Sequence, residues 1–200
     1  MKNIIDLVLW SGGLDSTVLL YELLSKTQRP IHAHFVYLKT TEKRYDAENK
    51  AVDSLLPLLQ KIRPFEFSYS IIDYSTRKFV VMDVFNYLLM AHNIGCGLNY
   101  KKVRACFAWI YGGNSSYVGE RDLAYRIRDL WSVYSRGTPL LNKLYTPYIG
   151  VSKQEIFNKC PDNIRQLSWS CRQPIKTENG FVRCNKCFTC KELNQLKGEL

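Results

Sequence analysis

A chain of 200 residues has room for one sizeable core but not for two ordinary domains with linkers. Hydrophobic residues at 46% and charged residues at 23%, with 11 Gly and 7 Pro, exclude collagen-like, disordered and repeat-built architectures. The formal charge of +10 favours anionic or phosphorylated partners without choosing between them, and no apolar run reaches the roughly 18 residues that cross a bilayer.

Ile4 to Trp10 is a short apolar run, ended by Ser11-Gly12-Gly13 and followed by Val18, Leu19, Leu20, Leu23 and Leu24 at helical spacing. This predicts a strand, a tight turn and a helix. After Arg29-Pro30, Ile31 to Leu38 reads as a second strand by its β-branched and aromatic content. Ala51, Val52, Leu55, Leu56 and Leu59 carry helical spacing, and Pro57 among them predicts a broken helix, because its ring removes a donor. Phe65 to Ile72 returns to a strand pattern, and Val84, Phe85, Leu88, Leu89 and Ala91 mark a helix before Gly95. Ala105 to Tyr111 predicts a fourth strand, ended at Gly112-Gly113-Asn114. Leu123, Ile127, Leu130 and Trp131 fit an amphipathic helix, and Val151 to Phe157 begins another with Ser152 as its N-cap. The alternation predicts a Rossmann-like, doubly wound parallel α/β sheet over residues 1–157. Residues 158–200 read as a polar, cysteine-bearing tail that needs a staple to hold a shape.

In Ser11-Gly12-Gly13-Leu14-Asp15-Ser16-Thr17, a strand feeds a glycine turn that opens a helix. Backbone N–H groups and the positive end of the helix dipole then converge on one spot, which is an anion site. Neither G-x-x-x-x-G-K-[ST] nor G-x-G-x-x-G is present, so the ordinary NTPase and dinucleotide fingerprints fail. Chemistry other than γ-phosphoryl transfer is expected.

Of the seven cysteines, four fall in the last thirty residues, which points to a metal before a disulfide framework. Cys184-x-x-Cys187-x-x-Cys190 brings three thiolates to one ion, and Cys171, twelve intervening residues earlier, can return as the fourth. Four sulfurs favour tetrahedral, structural zinc. An iron–sulfur cluster and a disulfide are the rival readings, the cluster because the same run occurs in ferredoxins.

The SGGLDST run resembles the pyrophosphate loop of the N-type ATP pyrophosphatases, which cleave ATP between the α and β phosphates. That resemblance makes Trp10, Ser11, Gly12, Gly13, Leu14, Asp15, Ser16 and Thr17 nucleotide-binding candidates, with Asp15 capping the helix or helping to hold Mg²⁺. Together with Val151 to Phe157 and with Ser168-Trp169-Ser170-Cys171 leading into the cysteines, the chain resembles the 7-cyano-7-deazaguanine synthase (preQ0 synthase) family. The resemblance implies an ATP-dependent, C–N bond-forming ligase that turns 7-carboxy-7-deazaguanine and ammonia into a nitrile, for modification of tRNA or DNA, with ATP, Mg²⁺ and Zn²⁺ as cofactors. It also marks Asp15, Ser16 and Lys153 as catalytic candidates and Asp122 and Arg126 as substrate candidates, while Asn114 is a substrate candidate because it ends the expected fourth strand, where open α/β sheets bind ligands. The chain departs from the family where Leu38, Lys39 and Thr40 follow Tyr37, and where the Pro-Gly-Arg-Asn segment is missing around Val80 to Asn86.

Two rivals remain open: a pyrophosphate-loop enzyme that thiolates or amidates tRNA, and a noncatalytic base-binding module. Cys96 and Cys106 could serve as the sulfur-carrying pair of such a thiolase, but Cys106 lies in an apolar strand pattern and reads as core. His32, His34 and His92 lack metal spacing and are not nominated as bases. A cytoplasmic homodimer acting on small molecules, off the membrane and without a required nucleic acid, is the expected working form.

Overall fold

A computed structural model describes residues 2–76, 83–108, 120–138 and 143–198. The strand β1 (Lys2–Leu9) sends Ile5, Leu7 and Leu9 to one face and Val8 to the other, where Trp10 joins it. Both faces are buried, so the strand is a nearly unbroken apolar run. Parallel to it on one side lie β2 (Ile31–Lys39) and then β3 (Glu66–Asp73). On its other side lie β4 (Tyr100–Cys106) and β5 (Lys143–Tyr145), giving the order β3-β2-β1-β4-β5. This is the expected doubly wound parallel sheet.

Helices α1 (Leu14–Lys26) and α2 (Tyr45–Ile62) cover one face, with Val18, Leu20, Val52 and Leu55 packed against Val8 and Phe35. Helices α3 (Asp83–Gly97) and α4 (Glu120–Tyr134) cover the other, with Leu88, Ala91, Ile127 and Trp131 against Leu7, Val36 and Val103. The one carboxylate buried within β1, Asp6, is neutralised by two 2.7 Å bonds from Arg104 of β4.

Two sequence expectations are corrected. The helix carrying Pro57 is continuous: Leu55 and Leu59 are fully buried on either side of it and anchor both halves, so the missing donor costs a hydrogen bond without breaking the helix. The fourth strand runs Tyr100–Cys106 and not from Ala105, because Tyr100, Val103 and Ala105 point inward while the exposed Lys101 and Lys102 mask the pattern.

After β5 come α5 (Lys153–Lys159) and α6 (Asp162–Leu167), then a hairpin of β6 (Ile175–Thr177) and β7 (Gly180–Val182), and finally α7 (Phe188–Lys197). Cys160, Ile164 and Leu193 enter the same core as Trp10 and Leu19. The tail is therefore laid on the α1–α2 face of the sheet.

Candidate functional site

The turn after β1 opens at the carboxyl edge of the sheet, beside the point where strand order reverses between β1 and β4. Open α/β sheets bind ligands in that crevice. Gly12 has φ +72°, and a Cβ on it would lie 2.9 Å from Val52 Cγ2 and 3.2 Å from the Glu48 carbonyl. Both its conformation and its surroundings require glycine. Gly13 is extended, at φ −72° and ψ 160°, and stands at the N-cap of α1.

Side chains brace this turn. Trp10 Nε1 donates to Thr17 Oγ1 at 3.0 Å, the Ser11 N–H donates to Ser16 Oγ at 3.2 Å, and the Gly13 N–H donates to Ser11 Oγ at 3.3 Å. The Thr17 N–H is the first to reach back into the helix, at 3.0 Å from the Gly13 carbonyl. The amides of Asp15 and Ser16 have no acceptor among the described residues, so they and the positive end of the helix dipole point out of the turn, an arrangement that suits an anion.

Helix α5 brings Lys153 to this turn. A capping box starts the helix, with Ser152 Oγ accepting from the Glu155 N–H at 3.2 Å and the Glu155 carboxylate accepting from the Ser152 N–H at 2.9 Å. The backbone and hydroxyl bonds from Ser152 hold the Glu155 carboxyl below its ordinary range. Ile156 and Phe157 bury the next turn, and Lys153 makes an ion pair with Asp15. A cation and a carboxylate thus face each other at the mouth of the glycine turn.

The cysteine tail reaches the same place. The Trp169 N–H donates to the Gly12 carbonyl at 2.8 Å, and the Leu14 N–H donates to Ser170 Oγ at 3.3 Å. Next in the chain, Cys171 joins Cys184, Cys187 and Cys190, their sulfurs all within 4.8 Å of one another. Backbone N–H groups of Cys184, Lys186 and Cys187 point at cysteine sulfurs at 3.3–3.4 Å, as suits sulfurs carrying negative charge. Burial opposes ionisation of Cys187, but bonds from Thr189 and from backbone amides outweigh it and bring its thiol down to about 6, whereas burial pushes the Cys171 and Cys190 thiols up. All four donors are soft and mutually close, and Cys171 and Cys184 accept from backbone amides, so the residues fit a thiolate-bound metal.

A charge network closes the β2 side of the turn. Arg44 contacts Glu42 at 3.1 Å, Glu48 at 3.2 Å and Asp83 of α3, and Arg172 contacts Glu42 at 3.0 Å and Asp83 at 3.8 Å. Burial pushes the Glu48 carboxyl up to about 7 against the pull of Arg44.

Of the residues nominated from sequence, Trp10 to Thr17, Lys153 and the four cysteines converge on this edge of the sheet. Asn114 lies outside the described residues, and Asp122 and Arg126 lie in the part of α4, before Ile127, where only the backbone is described. Sequence reasoning missed Ser170, Arg172 and the Arg44–Glu48 pair. The available signals were the proximity of Ser170 to Cys171 and the i,i+4 spacing of Arg44 and Glu48, a spacing shared by many solvent-facing helix pairs. Cys106 is fully buried and burial holds its thiol protonated, whereas Cys96 is exposed.

No protein-family model matches the chain, and no curated protein matches it in sequence. Among solved structures, the whole chain aligns with 66% of the U34-tRNA thiolase NcsA from Methanococcus maripaludis, determined with its 4Fe–4S cluster, at a TM-score of 0.50 and 12% identity. The likeness shows a shared fold. The chain spans about two thirds of that enzyme's length.

Proposed function

We propose that the chain is an AMP-forming, ATP-using enzyme of the pyrophosphate-loop type, which adenylates an oxygen on a nucleobase-like substrate. The observation that carries this reading is the convergence of unpaired α1 amides and Lys153 on a glycine turn at the switch point of the sheet. Fixed N–H dipoles and a lysine stabilise a departing pyrophosphate without having to reorganise as it leaves. Mg²⁺ enters with ATP as part of the substrate, and Asp15, the one carboxylate of Ser11 to Thr17, would hold it on exchanging its ion pair with Lys153.

The finer reading is conversion of 7-carboxy-7-deazaguanine to 7-cyano-7-deazaguanine. The order of loop, capped α5 helix and Ser168–Cys171 followed by three cysteines supports it. A carboxylate is a poor electrophile. Its oxygen attacks the α-phosphorus of ATP and releases pyrophosphate; ammonia then adds at the acyl carbon and AMP leaves, giving an amide. Adenylation of the amide oxygen by a second ATP lets AMP depart with loss of two protons, giving the nitrile. The chain supplies positioning, phosphate neutralisation and shielding from water, with no side-chain nucleophile.

The four-cysteine group would hold one zinc ion through Cys171, Cys184, Cys187 and Cys190, as a structural staple that takes no part in the chemistry. In support, a single ion draws four sulfurs together as found here, whereas a four-iron cluster sets a different iron beneath each sulfur and spreads them.

A second reading, base modification on tRNA, draws support from the fold shared with NcsA and from the charge of +10. Purified protein incubated with ATP and either 7-carboxy-7-deazaguanine plus ammonium, or tRNA plus a sulfide donor, separates the two by mass spectrometry. Nitrile and AMP support the first reading. Thiolated tRNA supports the second, and absence of both products contradicts the two together.

A further inference from the structure

The four residues Trp169 to Arg172 are consecutive, and each makes a different connection. Trp169 donates its N–H to the carbonyl of Gly12, the residue whose left-handed conformation shapes the turn. Ser170 accepts from the first amide of α1, and its backbone carbonyl accepts from Thr189 Oγ1 at 2.6 Å. Cys171 belongs to the four-sulfur group, and Arg172 reaches Glu42 and Asp83 on the far side of the crevice. Thr189 in turn lies 3.2 Å from Cys187 Sγ, so the sulfur group and the turn are joined through two bonds at Ser170.

Resting on the nucleotide reading above, we propose that Trp169 to Arg172 form a metal-anchored strap that completes the nucleotide site, with Ser170 as a direct phosphate-binding hydroxyl. The Leu14 N–H and Ser170 Oγ stand 3.3 Å apart, a long bond for an amide donor. The hydrogen of the Ser170 hydroxyl has no acceptor among the described residues. A phosphate oxygen seated on the α1 amides satisfies both: it accepts from Leu14 and from the Ser170 hydroxyl at once. The lost Leu14–Ser170 contact is replaced by two bonds to a charged acceptor, which are stronger.

The position of Ser170 depends on its neighbours. Two residues of the turn fix the strap from one side and the cysteine group fixes it from the other, so a bound metal holds Ser170 in place and its loss frees the strap. Metal occupancy then sets nucleotide affinity even though the metal touches no nucleotide. That coupling is reciprocal: bound nucleotide tightens the metal by the same factor.

The test measures pyrophosphate and ATP binding by titration calorimetry on the full chain, as isolated with its metal. Ser170→Ala is expected to weaken both ligands about tenfold, the loss of one charge-assisted hydrogen bond, with metal content and melting temperature unchanged. Ser170→Thr, which keeps the hydroxyl, restores binding. Thr189→Val, which cuts the link at Ser170 while leaving all four cysteines, weakens binding in the same direction and needs no metal removal. Amide hydrogen exchange at Gly12 to Ser16 should also quicken in Thr189→Val. Wild-type binding by Ser170→Ala overturns the strap while leaving the nucleotide reading intact. Absence of pyrophosphate and ATP binding by the wild-type protein overturns the nucleotide reading and the strap with it.

Discussion

Gly12 and Gly13 look equivalent in the sequence but are constrained by different forces. At Gly12 an added Cβ would meet Val52 at 2.9 Å on a backbone held in the left-handed region, whereas at Gly13 the backbone is extended and the nearest atom to such a Cβ is Ser11 Oγ at 3.2 Å. Gly12→Ala should cost about 1–3 kcal/mol of stability, seen as a fall of several degrees in melting temperature. Gly13→Ala should cost less and act mainly on phosphate binding. Equal losses for the two would contradict this account of the turn. A second residue-level feature is the chain Glu66–His32–Ser68–His34–Ser70 across β2 and β3, in which the His32–Ser68 and His34–Ser68 distances are 2.6 and 2.7 Å. Burial first, and then the neighbouring His32, push the His34 imidazole down to about 4, from 6.5. The folded state therefore resists its protonation while the unfolded chain accepts it. Stability from this source is full above 6.5 and is lost as pH falls toward 4, by about 2 kcal/mol after allowance for screening. His34→Asn should flatten that part of the profile of melting temperature against pH, and an unchanged slope would count against it.

Among the elements, α2 shows how tertiary packing overrides local propensity. Pro57 is exposed, so Pro57→Ala loses no packing, restores a backbone donor and is expected to raise stability by about 1–3 kcal/mol in chemical denaturation. A destabilised variant would show that the ring is needed where it stands. The parallel doubly wound sheet and the helices flanking it were legible because β1 and β2 are buried on both faces and because α1 and α5 carry plain start signals, the glycine turn and Ser152. Strand β4 was misplaced because lysines interrupt its apolar positions, and β5 was missed because three residues, Lys143–Tyr145, carry no period. Tail elements α6, β6, β7 and α7 were also missed. Of their apolar residues, Ile164 and Leu193 join the core built with α1 and α2, far away in sequence, while Ile175, Val182 and Phe188 stay exposed.

At the scale of the whole molecule, the glycine turn and the cysteine group were each legible alone, because spacing defines both. Their contact was not, since it runs through Trp169 N–H and Ser170 Oγ to residues more than 150 positions away, which no local pattern encodes. Elemental analysis should find close to one zinc per chain, and Cys187→Ser should lose it, loosening residues 168–198 before the sheet as read by hydrogen exchange. Iron and acid-labile sulfide in place of zinc would reverse the assignment of the metal. The turn itself is tested most directly by the products of ATP. With ATP labelled separately at the α and γ phosphates, and with substrate present, the α label should appear in AMP and the γ label in pyrophosphate. Lys153→Met should reduce both at least tenfold, as the loss of a cation at a developing negative charge requires. Label in ADP and inorganic phosphate as the primary products, or unchanged turnover in Lys153→Met, would contradict the assignment of this turn as a pyrophosphate-releasing site.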